Sequence, residues 1–174
     1  MTQNPSGRLR AVVLGGGLAG TLAAAALAPH VAEVLVVERD TVLPETASPR
    51  PRLPQAAHAH MLWSGGADAI EELLPGTTAT WLAAGAHRIP IPNGMVSYSP
   101  AGWFRRWTET HYLIGASRDL VDWGVRTELR AAHPNVRIRT GVRIAGLLGD
   151  GSEVTGVRVL DEAREEEVID ADLV

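Results

Sequence analysis

The chain has no cysteine among its 174 residues. That excludes a disulfide framework, a thiolate zinc site, an iron–sulfur cluster and a cysteine nucleophile, and it fits a reducing, cytoplasmic setting. A surplus of positive charge is also missing. Sixteen Lys and Arg stand against twenty Asp and Glu, a formal net charge of −4. A general nucleic-acid binder would carry a basic stripe, so no nucleic-acid partner is expected. No apolar run reaches the length of a membrane span. The longest, AVVLGGGLAGTLAAAALA, holds glycines at 15, 16, 17 and 20 and is soon followed by Pro29, His30 and Glu33. Those glycines also count against a secretory signal, despite Arg8 and Arg10 upstream. Disorder is excluded as well, because 45% of residues are hydrophobic and 21% charged.

The apolar residues that are present follow a definite rhythm. Residues 1–8 read as a loose tail, and LRAVVL at 9–14 reads as a short buried parallel strand. After GGGLAG, the Ala- and Leu-rich stretch Thr21 to Ala28 predicts a helix. EVLVVE at 33–38 predicts a second buried strand, so 9–38 has the length of one βαβ unit. Residues 40–57, with prolines at 44, 49, 51 and 54, form a long irregular segment of the kind that is usually functional or disordered. A helix is predicted over 58–74 and a shorter one over 78–84. HRIPIP, MVSYS, WFRRW and HYLIG are β-like pieces. Ser117 then N-caps a helix running to about Ala132, stopped by His133-Pro134-Asn135. VRIRT, VRIAGLLG, EVTGVRVL and EEEVIDADLV are short strands separated by turn residues, and DADLV reads as the start of another strand in the parallel sheet.

One constellation carries chemistry. Gly15-x-Gly17-x-x-Gly20 lies between a predicted strand and a predicted helix, and Glu38 follows 18 residues after Gly20 at the end of the next strand. Gly15 permits the tight turn, Gly17 lets backbone N–H groups approach a pyrophosphate, and Gly20 lets helix and strand pack closely. The helix N-terminus favours phosphate charge. The Glu38 carboxylate can accept hydrogen bonds from ribose hydroxyls, which favours FAD or NAD over a 2′-phosphorylated nucleotide. Arg39 leaves some room for NADP. This motif by itself does not separate FAD from NAD. The element order helps, because a continuous NAD domain returns quickly to a third parallel strand. Here a long excursion intervenes and opens with RPRLPQAAHAH. Its Arg50 and Arg52 offer cations for a phosphate or flavin edge, and Gln55 offers both a donor and an acceptor.

GGGLAG…VVERD, RPRLPQAAHAHML, SRDLVDWGV and DADLV together resemble the N-terminal part of the FAD-dependent group A monooxygenases, the p-hydroxybenzoate hydroxylase and squalene epoxidase relatives. WSGGADAIEELLPGTT and AGAHRIPIPNGMVSYSPAGW are similar to the flavin epoxidases of polyether-ionophore biosynthesis, the monensin and lasalocid type. The resemblance implies an α/β, Rossmann-like (GR2-type) FAD-binding fold with a β-meander over 9–174. It includes part of an inserted substrate-side segment at 77–114 and is incomplete at its C-terminus. It implies an oxidoreductase of polyketide antibiotic biosynthesis that epoxidises alkenes of an apolar polyene. NAD(P)H and O2 would act through a flavin C4a-hydroperoxide. The cofactor-binding residues it implies are Gly15, Gly17, Leu18, Ala19, Gly20, Glu38 and Arg39 for the ADP half. Arg52, Gln55 and Arg118 would lie near the rest of FAD, and Val142 would touch adenine through its backbone. Relatives continue past ADLV into V-D-A/T-x-G and a later G-D motif. The expectation is therefore a fragment, or a chain completed by a second polypeptide and prone to aggregate without it.

Other residues are weaker candidates. No catalytic residue is assigned. His58-x-His60 lacks a third ligand, so no metal site is expected. Asp119 and Asp122 read as helix acids. Trp103, Phe104 and Trp107 around Arg105-Arg106 read equally well as a substrate wall or as a strand with one packed and one wet face. Glu165-Glu166-Glu167 read as a solvated hairpin end. Ser64 and Ser117 have no triad context and no G-x-S-x-G elbow. Two other functions fit the first motif: an NAD-dependent dehydrogenase or flavin reductase, and a non-catalytic flavin-fold partner of another chain.

Overall fold

The computed structural model describes residues 9–53, 56, 58, 60–150 and 152–174. In chain order the elements are β1 (Arg10–Leu14), α1 (Leu18–Leu27), β2 (Glu33–Val37), β3 (Met61–Trp63), α2 (Ser64–Leu73), α3 (Thr77–Ala83), β4 (His87–Ile91), β5 (Tyr98–Ser99), β6 (Gly102–Trp103), β7 (His111–Gly115), α4 (Arg118–Ala132), β8 (Val136–Arg139), β9 (Arg143–Gly149), β10 (Val154–Leu160) and β11 (Glu166–Asp170). They form two compact units. The first holds the described residues through Pro44 together with Val125–Val174, and the second holds Glu45–Gly124.

The first unit is built on a parallel sheet of order β1-β2-β8. β1 and β2 pair through Val12↔Leu35, and β2 and β8 pair through Val36↔Ile138. Ala11–Val13 and Val34–Val37 are buried, which is why these runs are almost wholly apolar rather than alternating. On the free side of β1, Leu173 makes a parallel bridge with Ala11, and its carbonyl accepts the Val12 N–H at 2.8 Å. The ADLV stretch thus joins the parallel sheet, as its sequence suggested. β9, β10 and β11 form the antiparallel meander, order β11-β10-β9. Val12, Leu35 and Val37 of the parallel sheet pack with Val142, Val157, Val159 and Ile169 into one apolar cluster. Burying such side chains contributes about 1.5–3 kcal/mol each. Asn135 closes the turn after α1, its Nδ2 donating to the carbonyls of Ala28 and Val31 at 2.9 and 3.2 Å.

The second unit holds the antiparallel sheet β3-β7-β4 and the short β5-β6 hairpin. Trp81 of α3 is fully buried and donates its indole N–H to the Val121 carbonyl at 3.2 Å. Arg88 pairs with Glu109 and lies 4.1 Å over the Tyr112 ring, while Tyr112 donates its hydroxyl to Asp68. That hydrogen bond, with burial, pushes the Tyr112 phenol up to about 12.

Three expectations need correction. The helix predicted over 58–74 begins only at Ser64, because Met61, Leu62 and Trp63 pair with Gly115, Ile114 and Leu113 as a strand. Leu62 suits either pattern, and pairing with β7 decides. WFRRW is not a strand beyond Trp103, and none of its residues is buried. Trp103, Phe104 and Trp107 are exposed at 70, 60 and 57%. The acidic run is not simply solvated either: Glu167 takes both Arg139 guanidinium nitrogens, at 2.8 and 2.6 Å.

Candidate functional site

Chemically equipped residues gather where β1 ends and α1 begins. Gly15 has φ +105°, a left-handed conformation that favours glycine, so the chain can turn sharply out of β1. Its N–H donates to the Val37 carbonyl at 2.8 Å. Gly17 is the N-cap of α1, and no side chain among the described residues caps it. α1 also carries no acid in its first turn. The first amides of a helix have no intrahelical acceptor and present partial positive charge. Leu18, Ala19 and Gly20 form that first turn. A Cβ on Gly20 would lie 1.8 Å from the Gly15 carbonyl oxygen, so glycine is what allows helix and loop to approach this closely. A Cβ on Gly17 would meet nothing within 4 Å, and its φ of −79° suits any residue. Neither the backbone nor the packing demands glycine at 17. The space beside it suits a ligand brought up to the backbone.

Glu38 follows β2 and is only 5% exposed. Its Oε2 accepts the Gly16 N–H at 2.7 Å and its Oε1 accepts the Asp40 N–H at 2.9 Å. Its own backbone is fixed on both sides, with the N–H donating to Arg139 O at 2.8 Å and the carbonyl accepting from Val142 N at 3.0 Å. Beside it opens a cleft of about 290 Å³, lined by Gly15, Val37, Glu38, Arg39, Arg143 and Ile144. Ligand sites run from about 300 to 1,000 Å³, so this one is sized for part of a dinucleotide rather than the whole. The residues present fit an adenosine diphosphate group. They supply helix amides for phosphate, an acceptor-only carboxylate for ribose hydroxyls, and a cleft with apolar and cationic walls for the base.

Of the residues expected at a cofactor site, the first unit brings together Gly15, Gly17, Leu18, Ala19, Gly20, Glu38, Arg39 and Val142. The N–H of Val142 is taken by Glu38, so that donor is engaged within the fold. Arg52 and Arg118 belong to the second unit. There Arg118 Nε pairs with Asp122 at 2.7 Å, which places Asp122 as a structural helix acid. Ser117 caps α4 as its sequence suggested, its Oγ accepting the Leu120 N–H at 3.3 Å. Arg50, rather than Arg52, is the buried arginine of its segment. Gln55 lies outside the described residues. The His60 ring lies 2.7 Å from the His58 carbonyl through Nδ1, and no metal-holding cluster occurs among the described residues. Arg143 and Ile144 were not anticipated. Alternation along β9 shows only a strand, and nothing local signals that its first residues border the end of β2.

A parallel sheet entered through a glycine loop, with an acid at the end of its second strand and a meander packed behind it, defines an α/β dinucleotide-binding fold. Solved structures that share it over most of the chain include flavin-dependent enzymes. The monooxygenase PieE, solved in complex with FAD and substrate, matches with a TM-score of 0.63 at 19% identity, over 95% of this chain and 29% of its own. 2-Methyl-3-hydroxypyridine-5-carboxylic acid oxygenase matches with a TM-score of 0.63 at 25% identity, over 95% of this chain and 38% of its own. The fold is thus that of FAD-binding monooxygenases, and the chain spans less than two fifths of the length of these two proteins. In sequence, Protein Rv3254 of Mycobacterium tuberculosis is 43% identical over 75 residues, which cover 43% of this chain and 16% of that protein. No family model matches the chain. No helix among the described residues is long and apolar enough to cross a membrane.

Proposed function

We propose that this chain is the FAD-binding part of a flavin-dependent monooxygenase and that the Gly15–Gly20 loop, Glu38 and the adjoining cleft hold the ADP half of FAD. The observation that carries this reading is the cleft itself, with a buried acceptor at one wall and an uncapped helix start beside it. In this reading, Gly17, Leu18 and Ala19 present amides to the pyrophosphate, Glu38 takes the ribose diol, and Arg39, Arg143 and Ile144 flank the adenine. FAD, when bound, supplies reduction by NAD(P)H and transfer of one oxygen atom from O2. The sequence resemblance to polyether-ionophore epoxidases supports an apolar polyene as substrate and an alkene as the acceptor of that oxygen. It also supports roles for Arg52, Gln55 and Arg118 toward the rest of the cofactor, in a cytoplasmic enzyme.

The test is uptake of cofactor. Protein purified with FAD present should be yellow, with absorbance near about 450 nm, the flavin's own band. Colourless protein that binds NADH and not FAD would instead establish the dehydrogenase reading.

A further inference from the structure

The motif asks for glycine at 15, 17 and 20, yet position 16 is glycine too, and its φ is not in the left-handed region. Packing accounts for it. A Cβ on Gly16 would sit 3.1 Å from both the Cβ and the Oε2 of Glu38. Those contacts are tighter than ordinary van der Waals separation, against a side chain that is itself buried and held. The same Oε2 accepts the Gly16 N–H. The end of β2 therefore grips two successive loop amides, Gly15 through the Val37 carbonyl and Gly16 through the Glu38 carboxylate. The other carboxylate oxygen ties the strand's exit through Asp40 N, and the Asp40 carbonyl in turn accepts Gly141 N at 2.8 Å.

We infer that Glu38 is a positioning residue for the phosphate loop: its carboxylate fixes the Gly15–Gly16 turn before any nucleotide arrives, so that the amides from Gly17 onward already face the pyrophosphate. This rests on the dinucleotide reading above and adds a role independent of ribose. A carboxylate near a phosphate site repels the ligand, so a Glu38 that served only ribose would weaken anion binding in the absence of ribose. A Glu38 that sets the loop strengthens it. The ordering cost of the loop is then met on folding rather than on binding.

Inorganic pyrophosphate, which has no ribose, separates the two. In Glu38→Gln one oxygen remains an acceptor, while an NH2 donor confronts the other amide. Titration of pyrophosphate into the full chain, followed by amide NMR, should show Glu38→Gln binding about tenfold more weakly than wild type, the scale of losing one charged hydrogen bond. In the ligand-free chain, hydrogen exchange at the Gly16 amide should be slow in wild type and about tenfold faster in the variant. Gly16→Ala, which keeps the carboxylate but crowds it, should reproduce both effects. Equal or tighter pyrophosphate binding by Glu38→Gln would overturn the inference, as would unprotected exchange at Gly16 in wild type. Should neither variant fold, wild-type exchange alone decides. If wild type binds neither ADP nor pyrophosphate, the dinucleotide reading fails, and the exchange measurement still decides whether Glu38 holds the loop.

Discussion

Gly20 stands so close to Gly15 that a Cβ on it would lie 1.8 Å from the Gly15 carbonyl oxygen, whereas a Cβ on Gly17, three residues earlier, would touch nothing. The two glycines of one motif therefore fail in different ways. Gly20→Ala should destabilise the fold by 3 kcal/mol or more, at about the top of the range for overpacking, because the clash is with backbone. Gly17→Val should cost about 1 kcal/mol, the scale of a poor N-cap, yet abolish FAD and ADP binding. Thermal melts and a nucleotide titration on both variants check this. A Gly17→Val protein that still takes up FAD at wild-type affinity would refute the role assigned to that position.

In the second unit, Gly124 lies against Trp81 in the same manner. A Cβ there would sit 2.4 Å from Cδ1 and Nε1 of the indole, whose N–H is bonded to Val121. Gly124→Ala should therefore displace Trp81 and cost about 1–3 kcal/mol. Near-ultraviolet circular dichroism should lose the signal of a fixed indole. A spectrum and melting temperature identical to wild type would show that this packing is not held in solution.

Glu71 caps a helix to which it does not belong. Its two carboxylate oxygens accept the amides of Gly76 and Thr78, at 2.7 and 2.8 Å, at the start of α3, whose N-cap is a glycine with no side chain to offer. Burial pushes the Glu71 carboxyl up, but the Gly76 and Thr78 hydrogen bonds together hold it below its ordinary value of 4.5. A lowered folded-state value contributes stability above the ordinary value and loses it as pH falls through the folded one. Glu71→Gln should thus be less stable than wild type by about 1 kcal/mol at neutral pH, a charged hydrogen bond discounted for partial exposure. The gap should close below pH 4.5 as the wild-type carboxyl protonates. Denaturant melts at pH 7 and at acid pH measure it, and a gap that does not depend on pH would contradict the assignment.

The first βαβ unit and the meander were legible because their signals are local. Val-rich runs, a glycine loop and turn residues at regular spacing each specify an element without reference to distant chain. The helix start shifted from Thr21 to Leu18, since amides from Gly17 onward suit a helix even though Gly20 lowers propensity. What the sequence hid was non-local. Met61–Trp63 reads as helix until β7 is known, and nothing in VRIAGLLG reveals that Arg143 and Ile144 border the Glu38 cleft. WFRRW shows the converse: Trp103 pairs with Tyr98 in the short β5-β6 hairpin, but the β-like composition at Phe104 and Trp107 forms no strand, and all three rings stay exposed.

Calorimetric titration of ADP into the chain tests the central claim most directly, because every residue assigned to the ADP half lies in one compact unit. One ADP per chain should bind, and Glu38→Ala should weaken it by about 1.5–3 kcal/mol, the worth of hydrogen bonds to a charged acceptor. Absence of ADP binding by wild type, or equal affinity in Glu38→Ala, would contradict the account.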